Sequence, residues 1–193
     1  SIDVINVGNS SSEPTLRKAL AIGADKAIRI DADPLDGYFV AKQISEYVKT
    51  SSYDLIIAGR ESIDYNGAMV PGLIAGFLKI NYVTNCTKLE IDNEKVELDR
   101  EIDGGKETLN CTLPLIIGGQ KGLVEESDLR IPNMRGIMQA RQKPLEVLEA
   151  FDYSSNTKTI KFYKPEPKQA VKLVSADNLD ELINLLHNEA KVL

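Results

Sequence analysis

The residues best suited to chemistry form one polar stretch, at positions 59–70, between a buried-type strand and a helix. The stretch contains the carboxylates Glu61 and Asp64, the hydroxyl of Ser62 and the flexible backbone of Gly67. Backbone N–H groups and the helix dipole at such a junction favour the binding of a phosphate group. The spacing matches neither GxGxxG nor GxxxxGK[ST], so spacing alone leaves open both a phosphate-binding loop and a plain connection.

Nucleophiles and metal ligands are scattered along the rest of the chain. His187 is the single histidine and lies beside the apolar side of the last predicted helix, which favours a structural role. Cys86 and Cys111 fall in predicted strands without CxxC spacing, a pattern typical of inert, buried thiols and not of a zinc or iron–sulfur site. We therefore expect no catalytic residue and no metal ligand. This expectation favours a binding or carrier protein over a hydrolase or a transferase.

Composition narrows the class of protein further. The 193 residues are 42% hydrophobic and 27% charged, with 23 Lys and Arg against 29 Asp and Glu, for a net charge of −6. An acidic balance argues against nucleic acid as the main partner. No apolar run approaches the roughly 20 residues that span a bilayer, and no basic, apolar leader is visible. We expect a cytoplasmic protein, or a mitochondrial matrix protein if the source is eukaryotic.

The elements that must position the polar stretch alternate between strand and helix. Strands are predicted at 2–7, 27–30 and 54–59, and helices at 13–22, 39–48 and 70–78. This alternation predicts an α/β fold, with a Rossmann-like parallel sheet and helices on both faces. Three predicted strands end in Gly8, Gly59 and Gly118, at the sheet edge where ligands bind in such folds.

The second half of the chain changes character. An antiparallel meander is predicted at 83–91, 95–102 and 107–113, with turns at 92–94 and 103–105, followed by a buried strand at 114–119. Residues 131–143 form a loop that leads into a basic helical segment. Residues 151–169 are polar and contain Pro165 and Pro167, which predicts an extended arm before an amphipathic helix at 178–190. We expect a nucleotide-binding domain at 1–150 and an arm with a helix at 151–193.

Four segments together resemble the beta subunit of electron transfer flavoprotein. They are REIDGGKETL at 100–109 with LPLI at 113–116, TLRKALAIGAD at 15–25, GRESID at 59–64, and GIMQAR at 136–141 ahead of KPL at 143–145. The resemblance implies a heterodimer whose alpha subunit holds most of an FAD. It also implies that the protein is an electron carrier and not an enzyme. The carrier takes electrons from flavin dehydrogenases, such as the acyl-CoA dehydrogenases of fatty acid beta-oxidation. The acceptor is a membrane quinone reductase or another protein.

The resemblance also implies an adenine nucleotide in this subunit. Two positions, Val7 and Gly8, would line its adenine side. A second group would wrap its ribose and phosphates, namely Arg60, Glu61, Ser62, Ile63, Asp64, Tyr65, Asn66, Gly67, Ala68, Met69, Val70 and Pro71. AMP-binding members have Asn-Gln-Thr-Gly where this chain has Ala68 to Pro71, which is closer to the Ala-Gln-Val-Gly-Pro form of electron-bifurcating members. Both AMP and a second FAD therefore remain open.

The loop around Met134 is implied to recognise the partner dehydrogenase. Its residues are Ile131, Pro132, Asn133, Met134, Arg135, Gly136, Ile137 and Met138. Met134 lies where the family places a leucine that anchors in a dehydrogenase pocket, and Pro132 stiffens the approach while Gly136 permits a tight turn. Arg135, Arg141 and Lys143 would steer acidic partner surfaces. The alternative is that Met134 and Ile137 pack against the core.

Members of the family have a further segment ahead of the position of Ile2, which includes the first strand of the sheet. We expect that strand to be missing from the nucleotide-binding domain. Two other functions stay open: an enzyme of a related nucleotide-binding α/β fold, and a non-redox adenine-nucleotide-binding regulatory module of the universal-stress-protein type. The sequence contains no phosphate-activating motif or catalytic base that the enzyme would need. The regulatory module does not explain residues 100–105 or 131–143.

Overall fold

A computed structural model describes residues 1–93, 95–167 and 170–193. Glu94, in the predicted turn at 92–94, and Lys168 and Gln169, at the end of the predicted arm, lie outside the described residues. The chain forms two units, Ser1–Lys158 and Thr159–Leu193. The elements of the first unit, in chain order, are β1 (Asp3–Val7), α1 (Glu13–Ile22), β2 (Lys26–Asp31), α2 (Gly37–Lys49), β3 (Leu55–Gly59), α3 (Val70–Leu78), β4 (Asn81–Asp92), β5 (Lys95–Ile102), β6 (Gly105–Thr112), β7 (Leu115–Gly119), α4 (Met134–Ala140) and β8 (Leu145–Glu149).

The helices of the first half begin and end where their capping residues stand. Pro14 occupies the first turn of α1, and Gly23, with φ of 139°, ends that helix in a conformation that other residues rarely adopt. Asp36 caps α2 by accepting a hydrogen bond from the backbone N–H of Phe39 at 2.7 Å. Leu16 and Leu20 on α1 are buried, as the helical spacing of apolar residues predicts.

The parallel strands are divided between two hydrogen-bonded sheets. One contains only parallel pairs, in the order β1-β2-β8. The other has the order β3-β7-β4-β5-β6, in which β3, β7 and β4 run parallel and β4, β5 and β6 form the predicted antiparallel meander. The predicted α/β fold class is confirmed, with its strands in two sheets in place of one.

The sequence gives little sign of β8. This strand pairs in parallel with β2, from Ala27 opposite Leu145 to Asp31 opposite Glu149. Its five residues, LEVLE, mix three apolar residues with two glutamates, and the strand with which it pairs among the described residues lies more than a hundred positions earlier in the chain. A short segment of mixed polarity is a strand here because tertiary structure places it beside β2.

The core of the first unit forms several apolar clusters around the sheets. Leu115 and Ile117 of β7 face the meander, where they pack with Val83, Cys86 and Leu98. Ile116, which points the other way, packs with α2 and α3. Burial raises the pKa of the Cys86 thiol, which therefore stays protonated near neutral pH. Cys111 is half-buried, and both thiols are free.

The second unit contains α5 (Leu179–Asn184), followed by a wider turn of π-helix at Leu185–Glu189. The predicted helix at 178–190 thus starts as expected and changes its winding half-way. Leu179, Leu182 and Ile183 on its apolar side are exposed. His187 hydrogen-bonds through Nδ1 to the carbonyl oxygen of Leu193 at 3.0 Å. Among the described residues of the chain, no helix is long and apolar enough to cross a bilayer.

Candidate functional site

The polar loop that follows β3 is fixed at its start by the neighbouring strand β7. The backbone N–H of Arg60 donates to the carbonyl of Gly119 at 3.0 Å, and the Arg60 guanidinium donates to Oε1 of Gln120 at 3.1 Å. The same guanidinium also pairs with Glu61. The loop therefore leaves the carboxyl end of β3 in a defined direction, at the sheet edge where ligands bind in α/β folds.

Inside the loop, backbone hydrogen bonds and left-handed residues turn the chain back toward α3. The N–H of Asn66 donates to the carbonyl of Ser62 at 2.8 Å. Asn66 and Ala68 have φ values of 47° and 48°, a conformation that brings successive N–H groups to one side of the chain. Hydrogen bonds from the Ser62 hydroxyl and from the backbone N–H of Tyr65 lower the pKa of Asp64. Asp64 is therefore ionised at neutral pH.

The loop ends at the first turn of α3, which has no side-chain cap. Met69 stands at the N-cap position, and neither it nor Pro71 in the first turn supplies a capping oxygen. A helix start of this kind, preceded by left-handed residues, has backbone donors that suit an anionic oxygen. The donor chemistry of the loop therefore fits the phosphate of a nucleotide, held by backbone N–H groups of residues 67–70 and of Gly72.

The first half of α2 contacts one residue from each of the two predicted groups of nucleotide-lining residues. Val7 is buried and packs with Phe39 of that helix, so only its backbone is free to face a ligand. Two residues earlier, Gly37 faces Met69 of the loop, and a Cβ built on Gly37 would lie 2.7 Å from the Met69 sulfur. The end of β1 and the end of the 60–69 loop thus each contact the beginning of α2.

A buried arginine beneath Gly8 is a residue that sequence reasoning missed. The Arg29 guanidinium donates to the carbonyl of Gly8 at 2.9 Å and pairs with Asp31 at 2.5 Å and Glu13 at 3.1 Å. The hydrogen bond that Arg29 donates to the Asp31 carboxylate outweighs desolvation and raises the pKa of Arg29. The sequence signal for this buried cation was an arginine among the apolar residues Ala27, Ile28 and Ile30 of β2. Beside it, the side-chain oxygen of Asn6 is buried without a hydrogen-bond partner among the described residues.

The loop and helix around Met134 present an exposed apolar surface. The exposed fractions of Ile131, Met134 and Met138 are 83%, 75% and 65%. Asn133 caps α4 by accepting a hydrogen bond from the N–H of Gly136 at 2.8 Å, which fixes the helix on which the two methionines lie. Only Ala140, at the end of α4, is fully buried. The alternative that Met134 packs against the core is therefore wrong.

Comparison with known proteins assigns the chain to a family. Residues 1–152 match the family model described as the electron transfer flavoprotein domain. The chain belongs to the electron transfer flavoprotein family. It is 37% identical to electron transfer flavoprotein subunit beta of Bacillus subtilis (strain 168), over 100% of this chain and 79% of that protein. Identity is 33% to the mitochondrial beta subunit of Oryza sativa subsp. indica and 28% to the beta subunit of Sus scrofa, covering 97% of this chain and 76% and 75% of those proteins.

The resemblance to the beta subunit of electron transfer flavoprotein is thus confirmed. The matched residues include β1, the 60–69 loop and α4, so every predicted site residue of this flavoprotein chain lies in the family domain. Across the described ranges 1–93, 95–167 and 170–193, no group of three or more His, Cys, Asp or Glu side chains is arranged to hold a metal ion.

Two predicted roles around α4 of the flavoprotein chain need correction. Gly136 does not form a tight turn. It lies inside α4, where a Cβ would be 2.5 Å from the carbonyl oxygen of Ala21 on α1, so its role is close helix packing. Lys143 does not face a partner, because its ammonium group donates to the carbonyls of Leu20 at 3.0 Å and Ala24 at 2.6 Å at the end of α1. Arg135 and Arg141 remain exposed.

Proposed function

We propose that this chain is the beta subunit of a heterodimeric electron transfer flavoprotein, whose alpha subunit holds most of the FAD. The heterodimer carries electrons from flavin dehydrogenases, such as acyl-CoA dehydrogenases, to a quinone reductase or another acceptor. The observation that carries this proposal is the match of residues 1–152 to the family domain. The matched residues include both the 60–69 loop and the exposed surface of α4. Bacterial and mitochondrial relatives support a cytoplasmic or matrix location.

This subunit itself binds an adenine nucleotide, either AMP or a second FAD. Support comes from the contacts that Val7 and Met69 each make with the beginning of α2, and from the uncapped first turn of α3. A bound AMP supplies only structure, whereas a second FAD supplies a further redox centre. In both cases the protein's part is to hold the phosphate with backbone N–H groups and to enclose the adenine beside β1.

The exposed surface of α4 docks to the dehydrogenase. Met134 and Met138 offer flexible thioethers that adapt to an apolar pocket, and Ile131 extends the same surface. Arg135 and Arg141 flank them and raise the rate of encounter with an acidic surface. Residues 159–193, whose apolar side chains are largely exposed, bind the alpha subunit.

The test of the nucleotide site uses Gly67→Val in the heterodimer with the alpha subunit. A Cβ at Gly67 would meet only the Met69 methyl at 3.7 Å, so the fold accommodates the change, whereas a ligand on the loop backbone would meet the added methyl groups. We expect reduced nucleotide content, measured by mass spectrometry after extraction, and an unchanged melting temperature. Asp64→Ala, which removes a carboxylate that orders the loop, should act in the same direction.

The matched control is Gly76→Ala on α3. No atom lies within 4 Å of a Cβ at Gly76, and alanine there favours the helix, so nucleotide content should stay at the level of the unchanged protein. Full nucleotide content in both Gly67→Val and Asp64→Ala would contradict the site. Failure of the chain to copurify with a yellow alpha subunit would contradict the heterodimer.

A further inference from the structure

The first residues after β8 are held by side chains of α2. These residues, 151–157, are called the arm root below. Gln43, fully buried on α2, donates from Nε2 to the carbonyl of Phe151 at 2.7 Å and accepts from the N–H of Phe151 at 2.8 Å through Oε1. One amide side chain thereby satisfies both backbone groups of Phe151, as a neighbouring strand would.

The other end of the arm root is held by Asp36. One carboxylate oxygen, Oδ2, accepts from the N–H of Asn156 at 2.7 Å and from the N–H and hydroxyl of Thr157 at 2.8 Å and 3.0 Å. The other oxygen, Oδ1, caps α2 through Phe39. A single carboxylate therefore both starts the helix and fixes the end of the arm root.

The contacts between these ends define how the arm root runs. Lys42, next to Gln43, has its ammonium group 5.2 Å from the centre of the Tyr153 ring. Asp36 contacts positions 156 and 157, whereas Gln43, about two helical turns later, contacts position 151. The arm root thus runs antiparallel to α2. Its path is set by polar contacts specific to individual atoms and not by general apolar burial.

We propose that Asp36 and Gln43 are positioning residues for assembly, which fix the point where the arm leaves the first unit before the partner subunit binds. The proposal rests on the proposed function, in which residues 159–193 bind the alpha subunit. Ordering a chain segment during association reduces affinity, whereas a segment already ordered does not carry that entropy cost at binding. The two side chains therefore increase the affinity of the heterodimer without touching the partner.

The experiment compares Gln43→Leu and Asp36→Asn with the unchanged full chain. Leucine leaves the N–H of Phe151 unpaired and removes one of the two donors to its carbonyl, which keeps the N–H of Tyr153 at 2.9 Å. Asparagine keeps the helix cap while replacing the anionic acceptor of Asn156 and Thr157. Two quantities are measured: hydrogen exchange of residues 151–157 in this chain, and the Kd for the alpha subunit. We expect faster exchange confined to the arm root, and a Kd raised about tenfold by each change.

The control is Ser45→Ala. Ser45 is also fully buried on α2, but its hydroxyl donates to the carbonyl of Ala41 in the same helix and does not contact the arm root. Its exchange pattern and Kd should match those of the unchanged chain. Faster exchange with an unchanged Kd in both variants overturns this proposal and leaves the proposed function intact. Failure of the unchanged chain to bind the alpha subunit overturns both.

Discussion

Met134 and Gly136 lie two residues apart in α4 and have opposite surroundings. The Met134 side chain is mostly exposed, whereas Gly136 faces the backbone of α1 at Ala21. One short helix therefore has a side for binding and a side for packing. The role of each residue therefore follows from the side of the helix on which it lies, and on the packing side only glycine fits.

We expect Met134→Ala to lower the rate of electron transfer from the dehydrogenase while the melting temperature stays nearly constant. The side chain is exposed, so its truncation should change the free energy of unfolding by less than about 0.5 kcal/mol. Gly136→Ala is the opposite control. Its Cβ would lie 2.5 Å from the backbone carbonyl oxygen of Ala21, so α1 and α4 would have to move apart, and the change should cost about 1–3 kcal/mol and lower the melting temperature first. A large fall in melting temperature for Met134→Ala would contradict the docking role.

Asp36 makes the free energy of unfolding of the first unit fall at acid pH. Partial burial raises the pKa of this carboxyl, but the hydrogen bonds from Phe39, Thr157 and Asn156 outweigh it and the net pKa is lowered. Its stabilising contribution is therefore present at neutral pH and is lost as the pH falls from about 3.9, the ordinary aspartate value, through the lowered pKa. The difference in unfolding free energy between the unchanged chain and Asp36→Asn should shrink across that window. A difference independent of pH would show that the carboxylate contributes nothing by its charge.

Strands β1 and β3 are each an edge strand of their sheet within the described residues, with β8 and β6 at the opposite edges. Between them lies a cavity of about 220 Å³ lined by apolar side chains, among them Val4, Ile5 and Ile56. Tyr53, just before β3, bonds to Asp3 of β1 at 2.8 Å, so both strands begin at the same end of the cavity. These features agree with the expectation from the family resemblance that a further strand of the sheet lies beside β1 and β3 in other members, and we propose that such a strand joins the two sheets into one.

The substitution Ile57→Asp tests whether a further strand lies beside β3. Ile57 is 60% exposed on β3 beside the cavity, so in an open groove an aspartate there should be nearly neutral for stability. If a strand fills the groove in the assembled flavoprotein, the charge is buried and the melting temperature of the heterodimer should fall, with a cost of about 2 kcal/mol or more. Ile63→Asp, on the exposed 60–69 loop, is the control and should leave the melting temperature unchanged. Equal melting temperatures for both variants would argue against a strand at this position.

The chain consists of an α/β unit, for which we propose nucleotide binding, and a second unit. The exposed apolar residues of the second unit include Ile160, Phe162 and Leu173. A segment with that many exposed apolar side chains does not form a core of its own. This division supports the proposed roles of the two units, the first binding nucleotide and dehydrogenase and the second binding the alpha subunit. The structural division after Lys158 lies eight residues beyond the predicted boundary, because the arm root belongs to the first unit.

We expect truncation after Lys158 to abolish stable heterodimer formation and to leave the melting temperature of the first unit unchanged. Truncation after Ala150 should abolish assembly as well, but it also removes Phe151 and leaves the buried amide of Gln43 unpaired, at about 1–3 kcal/mol. The two truncations are compared by copurification with the alpha subunit and by thermal unfolding. Copurification at full yield after either truncation would contradict the assembly role of the arm.

The amino-acid sequence by itself determined the local elements and the family. The limits of α1 and α3 were predicted to the residue, because Pro14, Gly23 and the helical spacing of apolar residues act over a few positions. The family segments were equally local. Sequence also marked the residues of the candidate nucleotide loop, whose binding role stays a prediction.

Tertiary structure decided everything that depends on distant partners. Residues 145–149 are a strand because they pair with β2, and Arg29 is buried where it donates to the carbonyl of Gly8. Lys143 hydrogen-bonds to the end of α1, and Gln43 and Asp36 hydrogen-bond to the arm root. Each of these polar side chains is of a type common at protein surfaces, and backbone groups from another part of the chain satisfy it in its buried or partly buried position. Arg29 also pairs with the carboxylates of Asp31 and Glu13. Patterns along the sequence record the periodicity of an element but not the identity of a partner a hundred residues away.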